Sequence, residues 1–394
     1  MKLDGGLGHL TYCLNIHPAQ TWDEVKAALS GPVRAVKDQV SPDAPFDVGL
    51  RLSAEATDSL QNQAARDELA DIFRENDFRA LSMNGFPYGP FHGQTVKAEV
   101  YQPDWRTRER VDYTNALSAI MVELAQPGET VSLSTVPGTF KPLGAGAEAA
   151  MAANMIECVA ECVRLKQETD TTVAIAIEPE PYCFLETIAE TVDYFRDHLF
   201  SDGAVAQLAE LGGLSKGEAA AALPAHLGLC YDVCHAAVEY EDPAGSIADL
   251  RGAGIPVHKI QLSAALRVAE VTPDAREALK AFDEPTYLHQ VISRSASGLR
   301  YLPDLPEALA RGTDADGEEW RIHFHVPIFV EEIERLGTTQ GFLREILRLH
   351  KEDPISDHLE VETYTWDVLP PDLTALSMED AVARELNWVM GQLG

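Results

Sequence analysis

Five side chains in this 394-residue chain could act together on a cation: Glu178, Asp232, His235, Gln261 and Glu362. They stand at the C-terminal ends of four short apolar runs, TVAIAIEPEP, HLGLCYDVCH, VHKIQLS and HLEVETYTW. Carboxylates at neighbouring strand ends repel unless a cation or protons offset their charge. In a β/α barrel the strand ends converge on one rim, and chemistry sits on that rim. The pattern therefore points to a divalent-metal site with Glu178, Asp232, Gln261 and Glu362 as ligands. His235, one turn after Asp232, falls in or beside that shell. A glutamine amide oxygen suits Mg²⁺ or Mn²⁺, and the oxygen-rich set favours these two; the nearby imidazoles leave Zn²⁺ open.

Further groups could face the same cavity and hold a substrate. His323 and His325 share strand parity in RIHFHVP, where Pro327 stops the run. Asn15 and His17 follow the first strand-like run, and Asn84 follows the third. The segment NGFPYGPFHG (84–93), which includes His92, has the form of a rigid loop that packs a flat or ring-shaped ligand, or of a plain turn-rich loop. Lys141, in TVPGTFK, could meet an anionic group, although an ordinary surface lysine has the same sequence signature.

The elements that must carry these residues alternate between β-type runs and helical patterns, the mark of parallel α/β architecture. Eight strands are expected, near 10–18, 46–53, 79–87, 130–138, 173–180, 227–235, 257–263 and 358–366. Eight is the number that closes a (β/α)8 TIM barrel. Helical spacing covers 58–75, 107–125, 146–168, 184–199 and 338–350, with a last helix at MEDAVARELNWVMGQL. Thr21 and Glu24 form a capping box. A single barrel domain over 1–394 is expected. Its long insertion, about 264–330 after the seventh strand, reads as a loop over the rim with one added strand near the seventh. Strand parity turns Ala174, Ala176 and Glu178 inward, with Lys259 and Gln261, and with Glu360 and Glu362. It predicts a buried Lys259–Glu360 ion pair beneath the rim.

Composition bounds the partners. The 31 Lys and Arg stand against 63 Asp and Glu, a formal net charge of −32. That field repels phosphate backbones and anionic lipid surfaces, which argues against nucleic-acid binding. No run of eighteen apolar residues could span a membrane, and the first twenty residues lack the apolar core of a signal peptide. The six cysteines form no CxxC and read as buried reduced thiols. A cytoplasmic protein with a small-molecule ligand is expected, and an oligomer is compatible with the sequence.

The order of glutamate, Asp-x-x-His, a seventh-strand ligand and an eighth-strand glutamate resembles the xylose-isomerase-like barrel superfamily. That group includes sugar isomerases, ketose 3-epimerases and endonuclease IV-type nucleases. More narrowly, HLTYCLNIHP, NGFPYGPFHG, VYQPDW, STVPGTFK, RIHFHVPIF and EVETYTWDVLP resemble the EboE-type metabolite traffic proteins. The resemblance implies metal binding by Glu178, Asp232 and Glu362, acid and base roles for the two glutamates, and His235 close to substrate or on a second metal. Two departures stand out. Gln261 replaces the superfamily's usual histidine. Val136-Pro137-Gly138 and His323-x-His325 replace the nucleases' His-Pro-Gly and Asp-x-His, so a complete trinuclear site is not expected.

Three functions follow. The first is an isomerase or epimerase of a small polyhydroxylated carbonyl compound, working through an enediolate, with Glu178, Glu362 and His235 catalytic. The second is a non-catalytic metabolite carrier of a biosynthetic export pathway. The third is a phosphodiesterase of the nuclease type, which the charge and the missing histidine disfavour.

Overall fold

Seven short strands alternate with helices through the first two-thirds of the chain: β1 (His9–Tyr12), β2 (Phe46–Arg51), β3 (Phe78–Asn84), β4 (Thr130–Thr135), β5 (Thr172–Ile177), β6 (Leu227–Asp232) and β7 (Val257–Leu262). The computed structural model describes every residue except Phe91, Gln94 and 371–375, and only the backbone of Asp367. Phe91, within the 84–93 segment singled out above, thus lies outside the described residues.

Six strands follow outside the barrel: β8 (Ala265–Val268), β9 (Val291–Ser295), β10 (Gly298–Leu302), β11 (Glu319–His325), β12 (Glu332–Ile333) and β13 (Leu336–Thr338). The chain then returns as β14 (His358–Val361). The barrel sheet runs β1-β14-β7-β6-β5-β4-β3-β2, every neighbour parallel. Its seam closes through a parallel bridge between Cys13 and Gly49. Thr11 ties the same seam, its hydroxyl donating to the Asp47 carbonyl and accepting from the Gly49 amide at 3.1 Å. The eight strands are those expected from the sequence, and together they form an α/β barrel. The first and last end sooner than their apolar runs, at Tyr12 and Val361, because the following residues turn out of the sheet to form the rim.

Helices cover the outside, starting with Trp22–Ala28, which opens on the Thr21–Glu24 capping box. The Ala- and Gly-rich stretch before β6 folds as two helices, Asp202–Gly212 and Lys216–His226, each with a serine N-cap.

Residues 265–338 hold a second, six-stranded sheet ordered β10-β9-β11-β8-β13-β12, where the sequence suggested one loop and one added strand. β11 pairs antiparallel with β8 and β9, and not with the barrel strand β7. Alternation along β11 explains its placement. Trp320, Ile322 and Phe324 join the main hydrophobic core, while His323 and His325 point the other way and are also buried.

Inside the barrel, Lys259 and Glu360 are both fully buried, with Nζ 2.8 Å from Oε1. Register sets Glu360 opposite Gln261, two residues beyond Lys259, so the lysine reaches up to meet it. The Ser82 hydroxyl donates to the other Glu360 oxygen at 2.5 Å, and Lys259 also reaches the Ser134 hydroxyl at 3.4 Å. A Cβ on Gly49 would collide with this carboxylate and would come within 2.6 Å of the Tyr12 carbonyl oxygen, so the pair needs glycine there.

Candidate functional site

Glu178 follows β5, and its amide still donates to the Thr135 carbonyl at 3.1 Å before Pro179 ends the ladder. Asp232, the last residue of β6, is the N-cap of the helix Val233–Val238. One of its oxygens accepts from the His235 amide at 2.9 Å and from the Ser263 hydroxyl at 2.8 Å. The other, Oδ2, is buried with no hydrogen-bond partner. This capping geometry explains the Asp-x-x-His spacing, since it sets His235 one turn above the carboxylate. Glu362 follows β14, and Asn15 and Asn84 both donate to its Oε1, at 2.5 and 3.2 Å.

Carboxylate oxygens of Glu178, Asp232 and Glu362 lie within 4.8 Å of one another. Burial raises the Glu178 pKa to about 7, and the charge of Asp232 pushes the same way. Burial also lifts Glu362 well above the carboxylate range, with Glu178 and Asp232 adding to the effect. Three acids crowded in this way call for positive charge between them.

A second cluster adjoins the first. His235 Nε2 lies 3.9 Å from Asp232 Oδ2 and 3.1 Å from His323 Nε2. Its Nδ1 faces the Pro179 carbonyl at 2.9 Å. Burial works against protonation of His235, but Asp232, Glu180 and Glu178 outweigh it and its pKa is raised. His325 directs Nδ1 at the Glu362 carbonyl at 2.7 Å. A carbonyl only accepts, so Nδ1 carries the hydrogen, and the buried Nε2 is a lone pair without a partner. Burial holds His325 down to about 4. Three further groups bring ligand atoms within 4.8 Å, Asp232–His235–His325, Glu180–His235–His323 and Cys234–His323–His325.

Glu178, Glu362, His235 and His323 line one cavity, and Asp232 and His325 lie behind its lining. Glu178, Glu180, Glu362, Asn15, Asn84, Lys97, Tyr101, His235 and His323 supply most of the polar lining, and Phe86, Pro87, Val100, Leu288 and Tyr364 much of the apolar wall.

Not every residue expected from the sequence meets there. Gln261 is fully buried beside Asp232 in the β6–β7 register. Neither atom of its amide has a hydrogen-bond partner. His92 closes the rim from outside the lining, with Nε2 2.5 Å from the Asn15 carbonyl and Nδ1 3.1 Å from the Tyr287 hydroxyl. His17 and Lys141 lie outside the cavity lining. His17 meets the Tyr12 hydroxyl at 3.0 Å, and burial lowers its pKa to about 4. Lys141 is spent on Glu186 and Glu190, the latter at 2.9 Å, on a half-exposed surface. None of the six cysteines forms a disulfide, and all are buried.

Sequence reasoning missed Glu180, Tyr101 and Gln290. Glu180 was signalled by the Glu-Pro-Glu-Pro spacing, because a strand end locked by two prolines projects both carboxylates near one rim. Gln290 had no signal, since only the tertiary pairing of β9 brings it to the site.

The four buried polar atoms without hydrogen-bond partners, on Asp232, Gln261 and His325, test the fit of a divalent cation. Buried groups of this kind are normally satisfied, and all but the Gln261 amide nitrogen are acceptors suited to a metal. The residues present therefore fit such an ion.

No protein-family model and no curated protein matches the chain. Solved structures to which it is similar include an L-ribulose 3-epimerase, at 10% identity over 98% of this chain and 94% of that one, TM-score 0.47. Another is the IOLI protein with a binding zinc atom, at 12% identity over 98% of both chains, TM-score 0.44. A third is the 3-keto-D-glucoside 4-epimerase YcjR from E. coli, at 12% identity over 99% of both, TM-score 0.42. Likeness of this degree carries no functional argument, and the barrel stands on its own strand order.

Proposed function

We propose that the rim of this barrel holds one divalent cation, Mn²⁺ or Mg²⁺ in preference to Zn²⁺, and isomerises or epimerises a small polyhydroxylated carbonyl compound. The observation that carries this reading is the convergence of Glu178, Asp232 and Glu362 within 4.8 Å, with the two glutamates lining a cavity. Glu178, Asp232 and Glu362 would hold the ion, with the Gln261 amide oxygen beneath them and His235 at its edge. When bound, the ion supplies positive charge that polarises a carbonyl and its neighbouring hydroxyl.

The chain's own residues move the proton. Glu178 and Glu362 come from strand ends three places apart around the barrel, so they can address different faces of one carbon. One carboxylate takes the proton from the carbon beside the carbonyl. The C–H electron pair becomes the new C=C bond of an enediolate, and the carbonyl π pair moves to oxygen. The other, in its acid form, returns a proton to carbon, which requires the two groups to differ in protonation. Asn15 and Asn84 hold Glu362 by one oxygen and leave Oε2 for this work. The strings that resemble EboE-type proteins support a place among metabolite traffic proteins within the sugar isomerase-like barrels.

The test is α-proton exchange. Wild type in D₂O with Mn²⁺ should wash deuterium into at least one member of a ketose and keto-acid panel, and Glu178→Gln and Glu362→Gln should each abolish it. If the metal binds and no member exchanges, the isomerase reading falls and the carrier reading replaces it.

A further inference from the structure

We infer that Glu180 reads a substrate hydroxyl, and that this cavity admits a neutral polyol and excludes its phosphorylated counterpart. The inference rests on the isomerase reading for the general ligand class and goes beyond it in naming the charge and the residue that sets it.

The starting point is a one-way chain of hydrogen bonds. Gln290 donates through Nε2 to the Tyr101 hydroxyl at 3.0 Å and receives His323 Nδ1 on its Oε1 at 2.8 Å. Having accepted from the amide, the Tyr101 hydroxyl directs its single hydrogen to Glu180 Oε1 at 2.6 Å. Glu180 is itself buried and lines the cavity. Among the described residues no hydrogen bond reaches its Oε2. A carboxylate only accepts, so what this oxygen asks of a ligand is a donor.

Two features fix the geometry. Pro179 and Pro181 flank Glu180 and lock the chain on both sides. The Tyr101 ring is clamped between Phe86 and Phe140, with centroids at 5.8 and 5.4 Å and near-parallel planes. The donor that aims Glu180 therefore cannot swing away without breaking a stack. A preorganised carboxylate of this kind costs little ordering when a hydroxyl arrives.

Charge supplies the exclusion. Glu178, Glu180 and Glu362 line the same space. Lys97 is the one Lys or Arg among the described lining residues, and its Nζ is already 2.7 Å from Asp304 Oδ2. With the proposed divalent ion spent on the three carboxylates of Glu178, Asp232 and Glu362, a phosphate entering here still meets the charge of Glu180 and finds no free guanidinium or ammonium to replace its hydration.

The experiment is equilibrium binding of D-fructose and D-fructose 6-phosphate to the full chain with saturating Mn²⁺. Wild type should prefer the free sugar by about tenfold or more, within the cost of bringing like charges together. Glu180→Gln keeps the shape and removes the charge, and should narrow that preference by about tenfold. Tyr101→Phe, a second and structurally mild variant, should weaken D-fructose while leaving Mn²⁺ affinity unchanged. Equal or tighter binding of the phosphate, no binding of the free sugar, or an unchanged preference in Glu180→Gln would each overturn the inference. Loss of α-proton exchange with the preference intact would sink the isomerase reading alone.

Discussion

Two glutamates two residues apart at the end of β14 meet opposite fates. Glu360 points into the barrel, fully buried, with Lys259 at 2.8 Å and the Ser82 hydroxyl at 2.5 Å. Burial acts against the charge of Lys259, but Glu360 more than offsets it and the lysine pKa is raised. Glu362 points to the rim, among Glu178 and Asp232, and is held well above the carboxylate range. The lower layer balances its charges within the chain. The rim leaves its charges unbalanced and its Asp232 and Gln261 atoms without hydrogen-bond partners. A buried charge that the fold does not neutralise marks the place where something else must.

The comparison is broken most severely from below. Lys259→Met strands a buried Glu360 and should cost on the order of 3–5 kcal/mol in denaturant unfolding. A loss below about 1 kcal/mol, the scale of an exposed pair, would mean that the layer is not balanced by this contact.

The rim should respond to metal instead. At a free Mn²⁺ concentration a hundred times Kd, wild type should gain about 2.7 kcal/mol, read as a raised Tm. Glu178→Gln/Glu362→Gln should gain much less. An equal gain in both would place the ion elsewhere.

A third acid sharpens the contrast, because it is buried with donors but, among the described residues, no cation. Glu385, on the helix Met378–Leu393, accepts from the Ile328 amide at 3.0 Å and the Thr363 hydroxyl at 2.7 Å. Burial still raises its pKa from 4.5 to about 8. The folded state then holds a proton that the unfolded chain has lost, so this group lowers stability progressively as pH rises from about 4.5 to 8. Glu385→Gln should stabilise the protein at pH 8 by on the order of 2 kcal/mol and leave it unchanged at pH 4. A variant no more stable at pH 8 would show that Glu385 is charged and compensated.

The smallest effect belongs to Lys141, which the sequence placed with the substrate and the structure ties to Glu186 and Glu190. Lys141→Ala should leave Mn²⁺ affinity unchanged within about twofold, as for a substitution away from the site. A larger change would bring that surface into the rim.

The sequence by itself determined the eight barrel strands, since a period-two pattern with inward carboxylates leaves few other ways to bury those runs. It also determined the Lys259–Glu360 pair and the rim positions of Glu178, Asp232 and Glu362, because strand parity and strand ends are local properties. Asp232 and His235 were legible together because an N-cap fixes what lies three residues on. Only the tertiary structure decided the rest. It built residues 265–338 into a six-stranded sheet, whose pairings join segments far apart in the chain and leave no local period to read. It brought His323 to His235 and Gln290 to Tyr101 across separations of 88 and 189 residues. It also withheld His17 and Lys141, whose residue types suited the chemistry but whose side chains had nearer partners. A side chain's chemistry is written at its own position, whereas its partner is chosen by what folding brings within reach.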